Sequence, residues 1–559
     1  MSTWRQSLEN WLNSLPKTER LSTVIWLPSL GARLALMRHL AGQGAGLLPR
    51  IVVPMQSADA MLPFGIEEDL WPTKAEVMDA KITLANALHE ADKTLTGTAL
   101  AHMAGSAYKL VEGLALAHKQ PEDLWHSTSE DVAEHFRKNT ETLREALEAY
   151  DTWVQTNGRN PATLAAVRWQ KLAKLTGWHQ AAVPLGWQTE AQKSWLQNIP
   201  THIDLLEITG EENPQDTCAH RALHLLSTPA EEAAHLRHLT QVAMAEGRTP
   251  VAIAVGDAPL AELIEAELAA HGLTPKSGFG GTLATTLLGQ FIQALLAVLA
   301  SPTALSLATF TQIWAALNPA CAIGLSELEK RYLRGPAPST RHGWQKRFER
   351  AAEREALNPE APENTLTCLH TLAALMQPAA APLATWSITL SKHLQTLVPT
   401  WEERDEAEAL QTLLITLQNS QKTVAPTLFA AFMKSELDAI PHGPQADVNA
   451  PVLTGRLAAL HGAKTVLIAG LNQPQWSPTR PHPWLSNKQL VTLGIPSGTQ
   501  ARTLANQQFT LLWNGLGATH ITGTRSTFGA DGTPLTPATP WQKMQAAYPP
   551  QKQASDASQ

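Results

Sequence analysis

Eight cations crowd into one stretch of an otherwise acidic chain. Between Lys330 and Arg354, the segment KRYLRGPAPSTRHGWQKRFERAAER carries Lys330, Arg331, Arg334, Arg341, Lys346, Arg347, Arg350 and Arg354 against only Glu349 and Glu353. Tyr332, Trp344 and Phe348 are interleaved with them. Cations that follow a phosphate backbone, with rings that offer stacking faces, are the combination that binds single-stranded nucleic acid. The bland alternative is a solvated pair of helices whose arginines pair with neighbouring carboxylates. The chain as a whole has 50 acidic and 43 basic residues, a net charge of −7, so any nucleic-acid contact has to be a local patch.

Other chemistry-bearing spacings are weaker. Gly462-Ala-Lys464-Thr465 imitates the end of a phosphate loop, but it lacks the upstream glycine and precedes a strand, so no run of helix-start amides faces a triphosphate. Gly42, Gly44 and Gly46 join a helix to a strand, the reverse of a dinucleotide fingerprint. Glu76 and Asp79-Ala-Lys81 supply the letters of a magnesium nuclease within a strongly helical stretch, where an acidic helix face is the better reading. His220 and His224 lack the glutamate of a zinc protease motif, and no G-x-S-x-G elbow occurs. No catalytic residue, cofactor or metal ligand is therefore assigned.

The elements that must position these residues follow from composition and period. At 559 residues, 44% hydrophobic and 17% charged, the chain can build several cores. Cys218, Cys321 and Cys368 lie far apart in sequence, are expected to form neither a disulfide framework nor, alone, a four-thiolate metal site, and suit a reducing compartment. With no signal-like leader and no long apolar run, the expectation is a cytoplasmic protein with no membrane partner. Strands are expected at Thr23–Leu27, Arg50–Pro54, Ile203–Ile208, Ala222–Leu226, Val251–Val255, Thr465–Ala469 and His520–Thr524, and a short helix at Arg33–Leu40. Pro229 opens a helix to about Glu246, and Asp257 is expected to cap the next, Leu260–His271. Helical periodicity fills about 70–180 and 285–440. The fold class is α/β: two parallel-sheet lobes, 1–215 and 216–545, each with a large helical insertion, then a disordered tail at 546–559. Superfamily 1 helicases have this layout, an analogy of fold that does not itself give function.

Several segments, in order, resemble the AddB family, the second subunit of the AddAB-type helicase–nuclease, in its alphaproteobacterial form. Glu327 to Pro338 resembles its "LERR.LRGPRPAPG" segment, and Thr23 to Arg33 with Leu47 to Ile51 its "TVLLPTRRA…LLPRI" opening. Leu225 to Leu236, Ala252 to Gly272 and Gly281 to Phe291 match further units. The longest match runs from Arg456 through Thr465-Val-Leu-Ile-Ala-Gly-Leu-Asn-Gln-Pro-Gln-Trp476, Pro483-Trp-Leu-Ser486, Leu493 to Ser497 and Thr524-Arg525 to Trp541. Departures are Gln473-Pro474 where the family has Glu-Gly, Pro540 in place of an arginine, and no Asp…Asp-Tyr-Lys nuclease core after Trp541.

The resemblance implies a non-catalytic helicase-fold subunit that binds single-stranded or forked DNA and an AddA-like helicase–nuclease partner in double-strand break repair. It directs attention to Arg525, in a region similar to the sixth helicase motif, and to Asn472 and Trp476 after a strand end, where α/β sheets bind ligands. Arg341, Lys346, Arg347 and Trp344 complete the expected DNA-binding set. Two other classes stay open: a free-standing ATPase or nuclease with degenerate motifs, and a decayed fragment without activity.

Overall fold

A computed structural model describes residues 4–27, 49–52, 72–126, 134–167, 179–182, 203–206, 220–277, 281–358, 365–376, 380–440, 450–455, 463–473, 482–495 and 518–552, single positions within these ranges excepted, with Leu36, Met37, Leu40, Trp476 and Ser497 besides. The helix expected at Arg33–Leu40 falls mostly outside these residues, as do the glycines at 42–46 and Cys218.

Two all-parallel sheets organise the chain. The first holds β1 (Thr23–Trp26), β2 (Arg50–Val52), β3 (His179–Ala182) and β4 (Ile203–Leu205) in the order β2-β1-β3-β4. Every residue of β1 is buried, as a continuous apolar strand in a parallel sheet should be. β3 was not foreseen, because His-Gln-Ala-Ala has none of the β-branched residues that mark a strand.

The second sheet is larger. It holds β5 (His220–Leu226), β6 (Val251–Val255), β7 (Lys276–Ser277), β10 (Val452–Thr454), β11 (Thr465–Ala469), β12 (His520–Ser526) and β13 (Gln551–Lys552); an antiparallel pair, β8 (Ala381–Pro382) and β9 (Thr423–Val424), stands apart. The order is β13-β5-β12-β11-β6-β10-β7, all neighbours parallel. β6 and β11 are buried throughout, because helices Pro229–Ala245 and Ala258–Ala270 cover one face and Trp541 and Met544 of helix Thr539–Ala547 cover the other. The expectation of a disordered tail at 546–559 is corrected over 546–552, while 553–559 lie outside the described residues. The last helix runs to Ala547, and Gln551–Lys552 add an edge strand to β5. Backbone pairing with an open sheet edge needs no apolar side chain, so polar composition concealed it. A second correction is local: Asp257 occupies the N-cap position of Ala258–Ala270, but its side chain makes no capping hydrogen bond.

The two helical blocks merge. Helices Lys74–Ala91, Gly97–Leu116 and Glu134–Asn157 share one hydrophobic core with the helices between Leu287 and Ala439. Gly97–Leu116 packs on Pro426–Ala439, and Lys74–Ala91 touches Ala407–Gln418. Trp484, Leu485, Leu490 and Leu493, from the return segment between β11 and β12, dock on the same core. Among the described residues no helix is long and apolar enough to cross a membrane.

Candidate nucleic-acid interface

The basic island folds as a helix, a tight turn and a second helix. Ala322–Leu328 runs into a π-helical turn, Glu329–Leu333, and Thr340 then caps Arg341–Glu355 by accepting the Gly343 N–H at 3.1 Å. Trp344, Phe348, Ala351, Ala352 and Glu355 recur at helical spacing and are the buried face of Arg341–Glu355. Trp344 and Phe348 stack inside the core with centroids 5.7 Å apart. That overturns the expectation for Trp344: its ring is wholly buried, so it has no face to give a base.

The eight cations divide by what they touch. Lys330 and Arg331 pair with Glu327 at 3.0 and 3.2 Å, and Arg334 pairs with Glu329 at 3.5 Å. Arg331 also donates to Glu355 at 3.1 Å, beside the Tyr332 hydroxyl. The Tyr332 hydrogen bond, more than the nearby arginine, holds the Glu355 carboxyl below the usual range despite its burial. Arg341 donates to the Leu299 and Ala300 carbonyls, closing the end of helix Leu287–Ala300, and burial depresses its pKa. Arg347 donates to the Pro336 and Arg334 carbonyls at 2.7 and 3.2 Å while lying 5.4 Å over the Trp344 ring. Five of the eight thus have partners within the chain, three of them in surface ion pairs.

Lys346, Arg350 and Arg354 are different. All three are exposed and, among the described residues, stand in no ion pair. Their four-residue spacing places them in one row about 6 Å apart along Arg341–Glu355, opposite the Trp344 face. Glu349 and Glu353 are exposed on the next row, so the stripe is modestly positive. Of the expected set, only Lys346 belongs to it. Arg350 and Arg354 were within the island but not singled out, although the i, i+4, i+8 spacing was there to read.

The carboxyl end of the second sheet is closed over. Arg525, at the end of β12, is nearly buried, donates to the Leu535 carbonyl at 2.8 Å and lies 5.8 Å over the Trp541 ring. Burial lowers its pKa, with Glu232 opposing. Asn472 is buried and bridges Pro537, while Gln473 N–H and Ala538 N–H donate to Thr536 and Leu471 carbonyls. Trp476 is buried and donates its indole N–H to the Ala469 carbonyl at 3.0 Å. The loops after β11 and β12 are therefore laced to each other through Asn472 and its backbone neighbours, while Arg525 and Trp476 each brace the loop on their own side. This counts against their reading as DNA-binding residues, since a buried, hydrogen-bonded group cannot also meet a phosphate without first leaving its partners.

The remaining spacings are also structural. Glu76 completes a capping box with Thr73 and pairs with Arg159 at 3.3 Å. Asp79 accepts the Ser420 hydroxyl, and Lys81 pairs with Glu436 at 3.7 Å, both across the seam between the helical blocks. Lys464 has its carbonyl and N–H in backbone pairing with Thr519, His520 and Pro250 at the start of β11. His220 and His224 share a face of β5 but turn to different partners, His520 and His235, at 4.6 Å each. Among the described residues no three His, Cys, Asp or Glu side chains are placed to hold a metal.

No known family matches this chain when it is compared with family models. No curated protein is significantly similar to it.

Proposed function

We propose that this chain is an AddB-like, non-catalytic subunit: a helicase-type fold that holds DNA by its phosphates and docks an AddA-like helicase–nuclease in the cytoplasm during double-strand break repair. The observation that carries the DNA half of this reading is the exposed Lys346, Arg350 and Arg354 row, three cations that among the described residues stand outside ion pairs while their five neighbours have partners. Two parallel sheets with fused helical insertions support the helicase-type layout. The side chains that imitate catalytic motifs, Asp79, Lys81 and Glu76, are spent on packing and capping, which supports a binding role over a motor or nuclease.

The test is reconstitution. The full chain is mixed with an AddA-like helicase–nuclease and forked DNA, and complex formation is followed by sedimentation and fluorescence anisotropy. A ternary complex, with no phosphate release or strand cutting by the chain alone, is the expected result. Failure to bind either component, or turnover abolished by Lys464→Ala or Asp79→Asn, sinks the reading.

A further inference from the structure

The amino-terminal ends of three neighbouring strands hold a cavity that the candidate nucleic-acid interface does not use. His220 of β5, His520 of β12 and Thr465 of β11 are in register, and two residues further on so are Ala222, Thr522 and Leu467. Residues two apart on a strand share a face, so all of these belong to one patch of the second sheet. Leu239 of helix Pro229–Ala245, and Arg248 just beyond that helix, complete the walls of a cavity of about 260 Å³. The Thr465 hydroxyl donates to the Arg248 carbonyl at 2.9 Å and so fixes the arginine's backbone at this place. Arg221 also borders the cavity, but its guanidinium donates to Tyr548, which packs on the opposite face of the sheet. No carboxylate is among the described residues that line it; Glu246 pairs with Arg248 at 2.6 Å from the more exposed side of that pair.

We propose that this cavity binds a phosphate group, free or as a small phosphate monoester, with Arg248 as the fixed charge and His520, His220 and Thr522 as donors around it. The volume lies below the range of about 300–1,000 Å³ that drug-sized ligands occupy, which suits a compact anion and not an extended chain. Glu246 meets Arg248 at Nε, which leaves the two terminal nitrogens of the guanidinium to meet phosphate oxygens as a fork. His520 supplies a proton-dependent donor. The Thr519 hydroxyl donates to the Lys464 carbonyl at 3.1 Å and so accepts from His520 Nδ1 at 3.0 Å, which means that Nε2 of the neutral ring carries no proton. Nε2 therefore donates to an anion only when the ring takes up a second proton. Arg248, His220 and Glu246 are the charged and titratable groups that face it: burial, then Arg248 and His220, lower the His520 pKa, and Glu246 opposes them. A phosphate between Arg248 and His520 offsets their repulsion, so binding takes up a proton and strengthens as pH falls.

The experiment is isothermal titration calorimetry on the full chain, with inorganic phosphate and deoxyadenosine monophosphate at pH 7, and with sulfate, a dianion that does not titrate in this range, at pH 6 and 8. The expected result is saturable binding that Arg248→Ala weakens about tenfold or more, the loss of a charge-assisted contact. Sulfate should bind more tightly at pH 6 than at pH 8. His520→Asn, whose amide still donates to Thr519, should weaken binding and erase that difference. Changing Lys346, Arg350 and Arg354 together to glutamate should leave phosphate binding as it is in the parent, which separates the cavity from the exposed row. Equal affinity for the two phosphate probes assigns free phosphate as the ligand, and tighter binding of the monoester assigns a phosphorylated small molecule. Should His520→Asn fold poorly in thermal melts, Arg248→Ala and the sulfate series on the parent chain decide. No saturable binding by the parent, binding that Arg248→Ala leaves intact, or a sulfate affinity that does not rise at pH 6 overturns the proposal.

Discussion

The Glu232 carboxylate accepts the Thr524 hydroxyl at 2.6 Å, deep in the second sheet, and the same oxygen accepts the Gly470 N–H at 2.8 Å. Glu232 stands in the first turn of Pro229–Ala245 and is completely buried, so one side chain ties a covering helix to the ends of β11 and β12. Gly470 has φ of +63°, and a Cβ there would come within 2.9 Å of Leu260, so the chain can present that N–H only through glycine. Burial raises the Glu232 pKa, and the hydrogen bonds from Thr524 and Gly470 work against it.

Glu232→Ala should therefore cost about 2–4 kcal/mol, because it orphans a buried N–H and hydroxyl and leaves a void. Glu232→Gln keeps an acceptor in place and removes a buried charge, so it should stay within about 1 kcal/mol of the parent. Urea unfolding of the two variants gives the comparison. Equal losses would mean that the carboxylate oxygen is not what joins these elements.

Acid should loosen the seam where the return segment meets the helical core. His482 Nδ1 accepts the N–H groups of Trp484 and Leu485 at 3.3 and 3.2 Å, and burial pushes its pKa down to about 4. The unfolded chain binds this proton near the ordinary histidine value of about 6.5, so between that value and about 4 unfolding takes up a proton. Stability is then full above pH 6.5 and falls as pH drops towards 4, by at most about 3 kcal/mol from this group. His235 is held at about 4 by burial and contributes with the same sign, while Glu112, raised to about 6 by burial, opposes over part of the window. His482→Asn, which can still accept with its amide oxygen, should flatten the thermal-melting profile between pH 6.5 and 4 and leave the melt at pH 8 nearly unchanged. An unaltered acid slope would remove His482 from the account.

Continuous apolar strands were the legible part of this fold. Val251–Val255 and Thr465–Ala469 occupy the places their composition predicts, because a strand buried on both faces must be apolar along its length. His179–Ala182 escaped detection because its small and polar side chains carry no strand signal although most are buried, and Gln551–Lys552 because it is held by backbone pairing at a sheet edge. Nor could periodicity say that the two helical blocks share a core: each apolar face demands a partner, but its pattern does not name which one. The candidate site was legible as a charge excess and illegible as a surface. Trp344 and Lys346 are two residues apart, yet a helix sends one into the core and the other into solvent, and the carbonyls that claim Arg341 come from Leu299 and Ala300, some forty positions away in sequence.

The seam between the helical blocks has a polar rivet. Ser420 donates its hydroxyl to Asp79, whose carboxyl is raised by burial and lowered by that hydrogen bond and by Lys422, and Lys422 lies 5.4 Å over the Trp153 ring. Ser420→Ala leaves the Asp79 carboxyl without that donor in a half-buried site, at a cost of about 1–2 kcal/mol. In a double-mutant cycle with Asp79→Ala the two losses should be less than additive, by about 1 kcal/mol, since either change alone removes the same contact. Strict additivity in chemical denaturation would mean the pair does not couple the blocks.

The cation row makes a prediction that separates surface from structure. Lys346, Arg350 and Arg354 are exposed, so replacing all three with glutamate should leave the melting temperature within a few degrees of the parent. The same triple change should abolish most binding to single-stranded or forked DNA at low salt. If all three touch phosphates, the slope of log affinity against log salt should fall by about 2 on single strands, at roughly 0.7 per contact. Arg341→Ala and Arg347→Ala should behave in the opposite way. Each removes a guanidinium that donates to two backbone carbonyls, so each should destabilise by about 1–3 kcal/mol and leave the salt slope of the folded protein unchanged. Trp344→Leu should likewise lower stability without a specific loss of stacking, because the ring is sealed in the core. Anisotropy titrations across a salt series, paired with thermal melts of every variant, read both quantities. If the triple variant binds as the parent does while Arg341→Ala loses binding without losing stability, the assignment of the exposed row is wrong and Arg341, not Lys346, Arg350 and Arg354, is what meets the phosphates.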